Sequence, residues 1–518
     1  MPNQQTLAEL VADVAERDGA KPAIIFQDQP IGYAQLNGLI ERAADALAAR
    51  GVGHGDRVAI MLPNIPQFVV AYYAVARLGA IVVPLNVLYK ADEVGYILND
   101  SEAKALFIFE GFYPQAGGGA KAAPSIQEVI VVGQGAAPEG TIPWSALIDG
   151  SAPRRQPTEV KPDDVAVICY TSGTTGRSKG AMLTHRNFLA NCEQFGHLER
   201  LAYGEDDVLL LVLPLFHIFA MNVGMNATLR LGGTIVLVPR FEPVPVLEQI
   251  QKHRATIFLG APPMYVAWVN MPGLEGYDLS SLRVVVSGAA ALPMEVLQRF
   301  EQVTGIQIQE GYGLTETAPV THSNAAGPRV KPGTIGPAIP GVEAKLFDEN
   351  DREVGPGQEG EIVVRGDNVM VGYWRNPEAT AEALRDGWFH TGDIATVDEE
   401  GYYTIVDRKK DMINAGGFKV WPREVEEVLY KHPAVQEAAV VPMPDPYAGE
   451  RPLAYVALKA GQQASEEELI GYCRGELASF KAPTRVEFRP ELPKLPTGKV
   501  LRRVLREEAR QAASVQGD

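Results

Sequence analysis

Short apolar runs rich in β-branched residues recur along the chain, with stretches of helical periodicity between them. They fall at 57–62 (RVAIML), 80–85 (AIVVPL), 165–171 (VAVICYT), 208–214 (VLLLVLP), 234–239 (TIVLVP), 256–263 (TIFLGAPP) and 282–288 (LRVVVSG). Continuous apolar strands that are bounded by Gly and Pro and alternate with helices predict parallel-rich sheets covered on both faces, an α/β class. Several runs end in Gly, Pro, Ser or Thr, where open α/β sheets place their ligand sites. Near the start, Leu7, Leu10, Val11 and Val14 recur on one face at helical spacing and predict an amphipathic helix. From about 333 to 406, shorter strands such as 361–366 (EIVVRG) between Gly and Pro turns predict a β-rich subdomain. The charged run 407–411 (DRKKD) is a hinge candidate. After it, 412–518 reads as a small α+β unit with helices near 422–431 and 465–479 and strands near 435–441, 453–458 and 485–489. The expected organisation is a large N-terminal part, 1–406, the hinge, and a mobile C-terminal domain.

Composition narrows the field of functions. A chain of 518 residues, 46% hydrophobic and 21% charged, has the make-up of a folded multi-domain protein rather than a disordered or fibrous one. Its net charge of -17 would repel a polyanion, so nucleic acid is an unexpected partner. Cys169, Cys192 and Cys473 form no CxxC pair, which supports neither a disulfide framework nor a zinc cluster and fits a reducing cytoplasm. The first residues lack the basic start and apolar run of a signal peptide, so export is not expected. The most apolar stretch, 208–223, is interrupted by Pro214, His217 and Asn222 and is shorter than the ~20 residues needed to span a bilayer. It reads as a buried strand running into a pocket wall.

The strongest local signal is YTSGTTGRSKG, 170–180, directly after an apolar strand. Its glycines permit close backbone approach, so successive N–H groups can converge on an anion. Thr171, Ser172, Thr174 and Thr175 add hydroxyl donors, and Lys179 adds a positive charge. Such a loop suits polyphosphate, but its spacing is not the GxxxxGK[ST] of P-loop NTPases.

Four further segments follow in order: GYGLTET (311–317), TGD (391–393), DRKKDMINAGGFKVWPREVE (407–426) and LPKLPTGK (492–499). With the glycine-rich loop they resemble the motif set of the adenylate-forming superfamily, which comprises acyl-CoA synthetases, luciferase-type enzymes and peptide-synthetase adenylation domains. PLFHIFA (214–220), APPMY (261–265) and YDLSSLRVVVSGAAALP (277–293) look most like bacterial medium- and long-chain fatty-acyl-CoA synthetases. The resemblance implies that ATP and Mg2+ activate a carboxylic acid to an acyl-adenylate, with loss of pyrophosphate, and that CoA then takes the acyl group and releases AMP. A carboxylic acid with a pKa near ~4.3 is already ionised at neutral pH, so the first step needs no general base. Its difficulty is an anion approaching a polyanion, and the expected catalysts are cations and preorganised donors.

Carried onto this chain, the resemblance implies Lys499 as the catalytic cation, with Glu316 and Thr171 directing Mg2+ to the phosphates. Ser172, Gly173, Thr174, Thr175, Gly176 and Lys179 would hold ATP phosphates, and Thr315 would face the α-phosphate. Tyr312, with Glu310 and Gly311, would meet adenine from one side, and Gly288, Ala289 and Ala290 from the other. Asp393 would accept the ribose hydroxyls, and Arg408 would make a second contact to ribose and phosphate. His217, which by its apolar setting reads as a core histidine, would lie near the carboxylate between the acyl and thiol channels. Phe216, Met221, Met264, Tyr265 and Gly288 would line the acyl pocket. Lys410 would act as the hinge pivot, Gly416, Gly417 and Lys419 would meet pantetheine after rotation, and Arg240 would bind a CoA phosphate.

None of the residues assigned to the acyl pocket is a cation for a second carboxylate, which weighs against a malonate-type acid, while Arg230 and Arg283 keep that alternative open. Asn414 and Gly416 stand where plant hydroxycinnamate ligases carry lysines, which points away from aromatic acids. The context of Lys499 also resembles that recognised by bacterial lysine acetyltransferases, and acetylation there would remove the charge that adenylation needs. A homodimer is the commonest closed assembly and the oligomer to test for. The alternatives are delivery of the acyl group to a carrier protein's phosphopantetheine, action on another small carboxylic acid, and a non-catalytic nucleotide or acyl sensor on the same fold.

Overall fold

The computed structural model describes residues 5–149, 152–171, 178–445, 447–495 and 498–515. Two eight-stranded and two five-stranded sheets organise the chain. In one large sheet the strands run in the order 320–323, 309–313, 284–287, 257–260, 208–211, 234–237, 22–26 and 29–32. In the other the order is 372–373, 179–184, 165–171, 81–84, 57–61, 105–109, 128–132 and 142–143. Alternation across the second sheet explains its unbroken apolar runs. Val58 and Ile60 belong to the central core, whereas Ala59 and Met61 belong to a separate core with residues of helices Ala91–Ser101 and Tyr113–Lys121. The central core joins both large sheets. Helix Pro66–Arg77 is buried along its whole length, as a helix apolar on every face must be.

The β-rich subdomain is an antiparallel sheet of strands Val342–Phe347, Gly360–Gly366, Leu384–Arg385, Trp388–Val397 and Tyr403–Arg408. The last strand enters the expected hinge, because Arg408 pairs with Asp393, and a short turn, Lys409–Asp411, follows it. The C-terminal sheet carries helices Pro422–Tyr430 and Glu466–Glu476 on one face and Arg502–Val515 on the other. Leu7, Leu10, Val11 and Val14 are all buried, the last three on helix Leu10–Asp18.

The apolar stretch at 208–223 departs from expectation. Its strand ends at Leu211, and Phe219–Asn226 is a π-helix, a form that recurs at functional sites. Within it the Asn222 amide donates to the carbonyls of Phe188 (3.1 Å) and Ala318 (2.6 Å), which ties the π-helix to two neighbouring segments. Among the described residues no helix is long and apolar enough to cross a membrane.

Candidate active site

Two of the residues expected at the phosphates are brought together by a hairpin. Strands Val165–Thr171 and Lys179–Thr184 pair antiparallel with Thr171 opposite Lys179, so both flank the tip of the glycine-rich loop. Ser172, Gly173, Thr174, Thr175 and Gly176 lie outside the described residues. Gly180 is required here, since a Cβ would sit 2.6 Å from the Ile168 Cγ2 methyl. Glu316 occupies a short 3-10 turn, Thr315–Thr317, and is buried. The Tyr373 hydroxyl donates to Glu316 Oε1 (2.9 Å), and burial pushes the Glu316 carboxyl above the usual range. Gly313 lets the turn close, because a Cβ there would lie 2.0 Å from the Pro319 carbonyl oxygen.

The nucleoside side assembles motifs that are distant in sequence. The Tyr312 hydroxyl donates to Asp393 Oδ2 (2.6 Å), and Arg408 Nε lies 3.4 Å from Asp393 Oδ1. Antiparallel pairing of Asp393 with Arg408 produces the second contact. Gly392, at φ 74°, turns its N–H onto Glu361 Oε1 (3.0 Å) and fixes the bend that presents Asp393. Gly288, Ala289 and Ala290 follow strand Val284–Ser287, with Ala289 in the left-handed region at φ 70° and both alanines exposed.

The C-terminal domain supplies Lys499. Its carbonyl accepts the Leu495 N–H (2.8 Å), and Gly498 rests so closely on Pro263 that a Cβ would be 2.5 Å from Cγ. Burial and the neighbouring Arg408 guanidinium push the Lys499 ammonium down to about 7, against the pull of Asp393. Burial and the Lys499 charge push His217 down to about 4. His217 Nδ1 accepts the Phe219 N–H (3.3 Å), so the neutral ring carries its proton on Nε2. The segment that bears Lys499 is fastened to the hinge. Arg502 donates to Glu426 (2.6 Å) and lies 3.8 Å from Asp407, while Arg506 donates to Asp411 (2.6 Å). Asp407 also accepts the Arg423 N–H (2.9 Å), which ties the hinge to helix Pro422–Tyr430.

The acyl wall is apolar. Met221 and Met264 are buried, Phe216 is partly exposed, and a Cβ on Gly288 would lie 3.0 Å from the Phe219 ring. Tyr265 stands deeper, in an aromatic cluster with Phe258, Trp268 and Phe300, and its hydroxyl donates to the Val286 carbonyl (2.8 Å). It supports the wall from the core.

Comparison with known proteins accords with this geometry. The family model for AMP-binding enzymes matches residues 11–374, and the model for the AMP-binding enzyme C-terminal domain matches 424–499. The chain belongs to the AMP-binding enzyme family. A long-chain-fatty-acid–CoA ligase of Bacillus subtilis (strain 168) is 41% identical, covering 98% of this chain and 95% of the relative. Among solved structures, the anthranilate CoA ligase AuaEII in complex with anthranoyl-AMP superposes with a TM-score of 0.91 at 30% identity, covering 99% of each chain. ATP-bound MatB from Rhodopseudomonas palustris gives 0.88 at 36% identity over 98% of this chain and 100% of that one, whereas its apo form gives 0.77. This AMP-binding enzyme is an AMP-forming acid–thiol ligase that joins a carboxylic acid to CoA through an acyl-adenylate.

Several expected site residues stand apart from the cleft in this AMP-binding enzyme. The Glu310 carboxylate is buried beside the backbone of Leu292 and Gly333 and faces Arg423, and burial pushes it up to about 7. Gly416 and Gly417, at φ 66° and 91°, are exposed, with no atom within 4 Å of a Cβ on Gly417. Lys419 pairs with Glu349 (3.5 Å), and Arg240, 82% exposed, pairs with Glu242 (2.5 Å). Lys410, by contrast, lies on the turn Lys409–Asp411 near enough to Arg408, Asp393 and Lys499 to interact with their charges. In this arrangement Lys499 lies close to Arg408 and Asp393, while the Gly416–Gly417 turn is exposed. Tyr373, Glu361, Arg502 and Phe219 were not among the sequence candidates. Phe219 lies two residues from His217 and was within reach of the motif, whereas the others act through tertiary contacts that leave no periodic trace. Glu316 and Thr171 offer hard oxygen donors that suit Mg2+. Among the described residues no cluster of three His, Cys, Asp or Glu could hold a metal ion, and this small donor set fits an ion whose remaining ligands are phosphate and water.

Proposed function

We propose that the acid is a medium- or long-chain fatty acid and that the residues of this cleft divide the two half-reactions between them. The supporting observation is the convergence of Lys499, the Tyr312–Asp393–Arg408 group and the Glu316 turn, with Gly288 packed on the Phe219 ring beside His217. In the first step a carboxylate oxygen attacks the α-phosphorus, the bond to the β-phosphate bridging oxygen breaks, and pyrophosphate leaves. Lys499 holds the carboxylate and α-phosphate together, a role for a cation placed where charge gathers. Asp393 orients the ribose, Arg408 faces ribose and phosphate, and Tyr312 stacks on adenine. Bound Mg2+ would neutralise phosphate charge through the oxygens of Thr171 and Glu316. In the second step the domain turns about Lys410, the Gly416–Gly417 turn enters, and the CoA thiolate attacks the acyl carbonyl as AMP leaves. His217, kept neutral, adds no repulsion to the arriving cation and stands between the two channels.

Among the described residues Arg230 and Arg283 are paired with Glu193 and Asp207, which leaves neither free for a second carboxylate and favours a monocarboxylic chain, and the long-chain-fatty-acid ligase relative points the same way. An aromatic acid is the second reading, favoured by the anthranilate ligase neighbour. The cytoplasm as location is supported by the three free, buried cysteines, and Lys499 remains the candidate target of a lysine acetyltransferase. The deciding experiment is pyrophosphate release with ATP and Mg2+ across acids from acetate to palmitate, with malonate, anthranilate and coumarate alongside, each with and without CoA. Release that peaks on fatty acids, with acyl-CoA formed, is the expected result. A peak on aromatic acids would replace the first reading with the second, and release without transfer to CoA would indicate a carrier-protein acceptor.

A further inference from the structure

Tyr373 joins the charged groups of the phosphate site through opposite parts of one side chain. It sits in a short strand, Gly372–Tyr373, that pairs antiparallel with the strand leaving the glycine-rich loop, Tyr373 opposite Ala181. Its backbone is pinned from both sides. The Trp374 N–H donates to the Gly180 carbonyl (2.7 Å), the Val371 N–H to the Met182 carbonyl (3.1 Å), and the Tyr373 N–H to Thr380 Oγ1 (2.9 Å). The Tyr373 hydroxyl donates to Glu316 Oε1 (2.9 Å), while the Lys179 ammonium stands 5.3 Å from the centroid of the Tyr373 ring. A second tie leads to the same turn, since the Met370 N–H donates to the Glu316 carbonyl (2.8 Å). Segment 370–374 therefore bridges the Glu316 turn and the strand that begins at Lys179.

Among the described residues neither Lys179 nor Glu316 has an ion-pair partner, although both border one cleft. A buried carboxylate without a counter-charge is costly and tends to recruit the nearest cation. If these charges met, each would be neutralised before the triphosphate arrived. The tyrosine gives each another partner. Its hydroxyl satisfies one carboxylate oxygen, and its ring face attracts the ammonium electrostatically without consuming a donor.

We propose that Tyr373 is a positioning residue that holds Glu316 and Lys179 apart and presents both charges to the magnesium triphosphate. The assignment rests on reading Glu316 as the residue that directs Mg2+ and Lys179 as a phosphate contact. It gives the short strand a task in the first half-reaction and none in the second.

The test uses the full-length protein with a non-hydrolysable ATP analogue. Mn2+ binding to the protein–nucleotide complex is followed by electron paramagnetic resonance, and nucleotide affinity is measured by calorimetry with Mn2+ and again in excess chelator. Tyr373→Phe retains the ring and loses the hydroxyl. It should weaken Mn2+ about tenfold, the scale of a hydrogen bond to a charged group, and leave metal-free nucleotide affinity within about twofold. Tyr373→Leu also loses the ring, so metal-free affinity should fall as well, because Lys179 is then free to pair with Glu316. Glu316→Gln should weaken Mn2+ at least as much as Tyr373→Phe, and the double variant should be no weaker than Glu316→Gln alone. Unchanged Mn2+ binding in Tyr373→Phe, with a loss in Glu316→Gln, would overturn the assignment and spare the metal reading. Unchanged binding in Glu316→Gln would remove the metal reading and the assignment together. An equal fall in metal-dependent and metal-free affinity in Tyr373→Phe, with a lowered melting temperature, would show a merely structural role and also overturn it.

Discussion

Lys499 is placed where its own charge is unwelcome until substrates arrive, and a pH profile can read that directly. Burial and the nearby Arg408, Arg502 and Lys410 lower its pKa from 10.5 to about 7, with Asp393 opposing. That displacement corresponds to about 5 kcal/mol against the ammonium in the ligand-free cleft. The ammonium is the active form, so kcat/KM for adenylation, which reports the free enzyme, should fall as pH rises through about 7. Bound triphosphate and carboxylate restore negative charge, so the fall in kcat should move to higher pH. Lys499→Arg keeps a charge at every accessible pH. It should lose the alkaline limb in kcat/KM even though its rate at low pH is reduced by the altered geometry. Lys499→Met should lower adenylation about 100- to 1,000-fold at all pH values, the scale of one lost electrostatic contact to a transition state. ATP–pyrophosphate exchange from about pH 5 to pH 9 measures all three proteins. An alkaline limb that persists unchanged in Lys499→Arg would refute the reasoning. It would direct attention to Glu310 and Glu426, whose carboxyls burial also raises to about 7.

Other consequences are as open to measurement. Tyr312→Phe frees Asp393 from its 2.6 Å bond, and calorimetry should show ATP binding weakened about five- to tenfold, with thioester formation from preformed acyl-adenylate little changed. Arg502→Met strands Glu426 and Asp407 without their cation. Denaturant melts should record a loss that grows as pH rises above about 7, where the Glu426 carboxyl is charged, and shrinks at acid pH, where the carboxyls are protonated. Gly417→Leu meets no neighbour, and its left-handed backbone, φ 91°, costs about 1–2 kcal/mol in melts. Its adenylation should stay near the parent rate, while thioester formation from preformed acyl-adenylate should fall at least about tenfold, because the bulk would obstruct the turn that must enter. Methylenediphosphonate, an unreactive stand-in for pyrophosphate, should slow thioester formation in the parent protein and have no effect in Lys499→Met.

The architecture was legible because its physics is local. Apolar runs such as 57–61 and 284–287 can only be strands covered on both faces, and the final strand at 485–488 and the helix at 422–430 lie within a residue of where periodicity places them. Helix Arg502–Val515 went unread because its face toward Tyr455 and Leu453 rests on Leu505 and Ala509, too few apolar positions to stand out among charges. The Asp393–Arg408 contact was legible only as two motifs, since the strand pairing that joins them is tertiary. Glu310 shows the opposite limit. It lies two residues before Tyr312, and its buried carboxyl faces Arg423, a direction that spacing along an irregular strand does not set. Tyr373 was invisible for a further reason: its part depends on a short edge strand whose partner lies about 190 residues earlier in the chain.

The same electrostatics links the half-reactions. On the proposed reading of two domain orientations, an ammonium desolvated beside Arg408 and Lys410 is disfavoured in the empty cleft, so the orientation seen here would be favoured by the negative charge of ATP and the acid. A ligand can shift a conformational equilibrium only by its differential affinity for the two states, and the triphosphate supplies a large difference. When pyrophosphate leaves, that charge leaves with it, and the acyl-adenylate retains a single phosphate group to hold Lys499. The repulsion among Lys499, Arg408 and Lys410 then favours withdrawal of the C-terminal domain. Asp407, bonded to the Arg423 N–H and close to Arg502, is one restraint that such a withdrawal would meet. On that reading, product release would remove the reason for one orientation at the moment the other is needed, and the exposed Gly416–Gly417 turn, closed by the Gly417 N–H donating to Asn414 Oδ1, would need no refolding for the exchange.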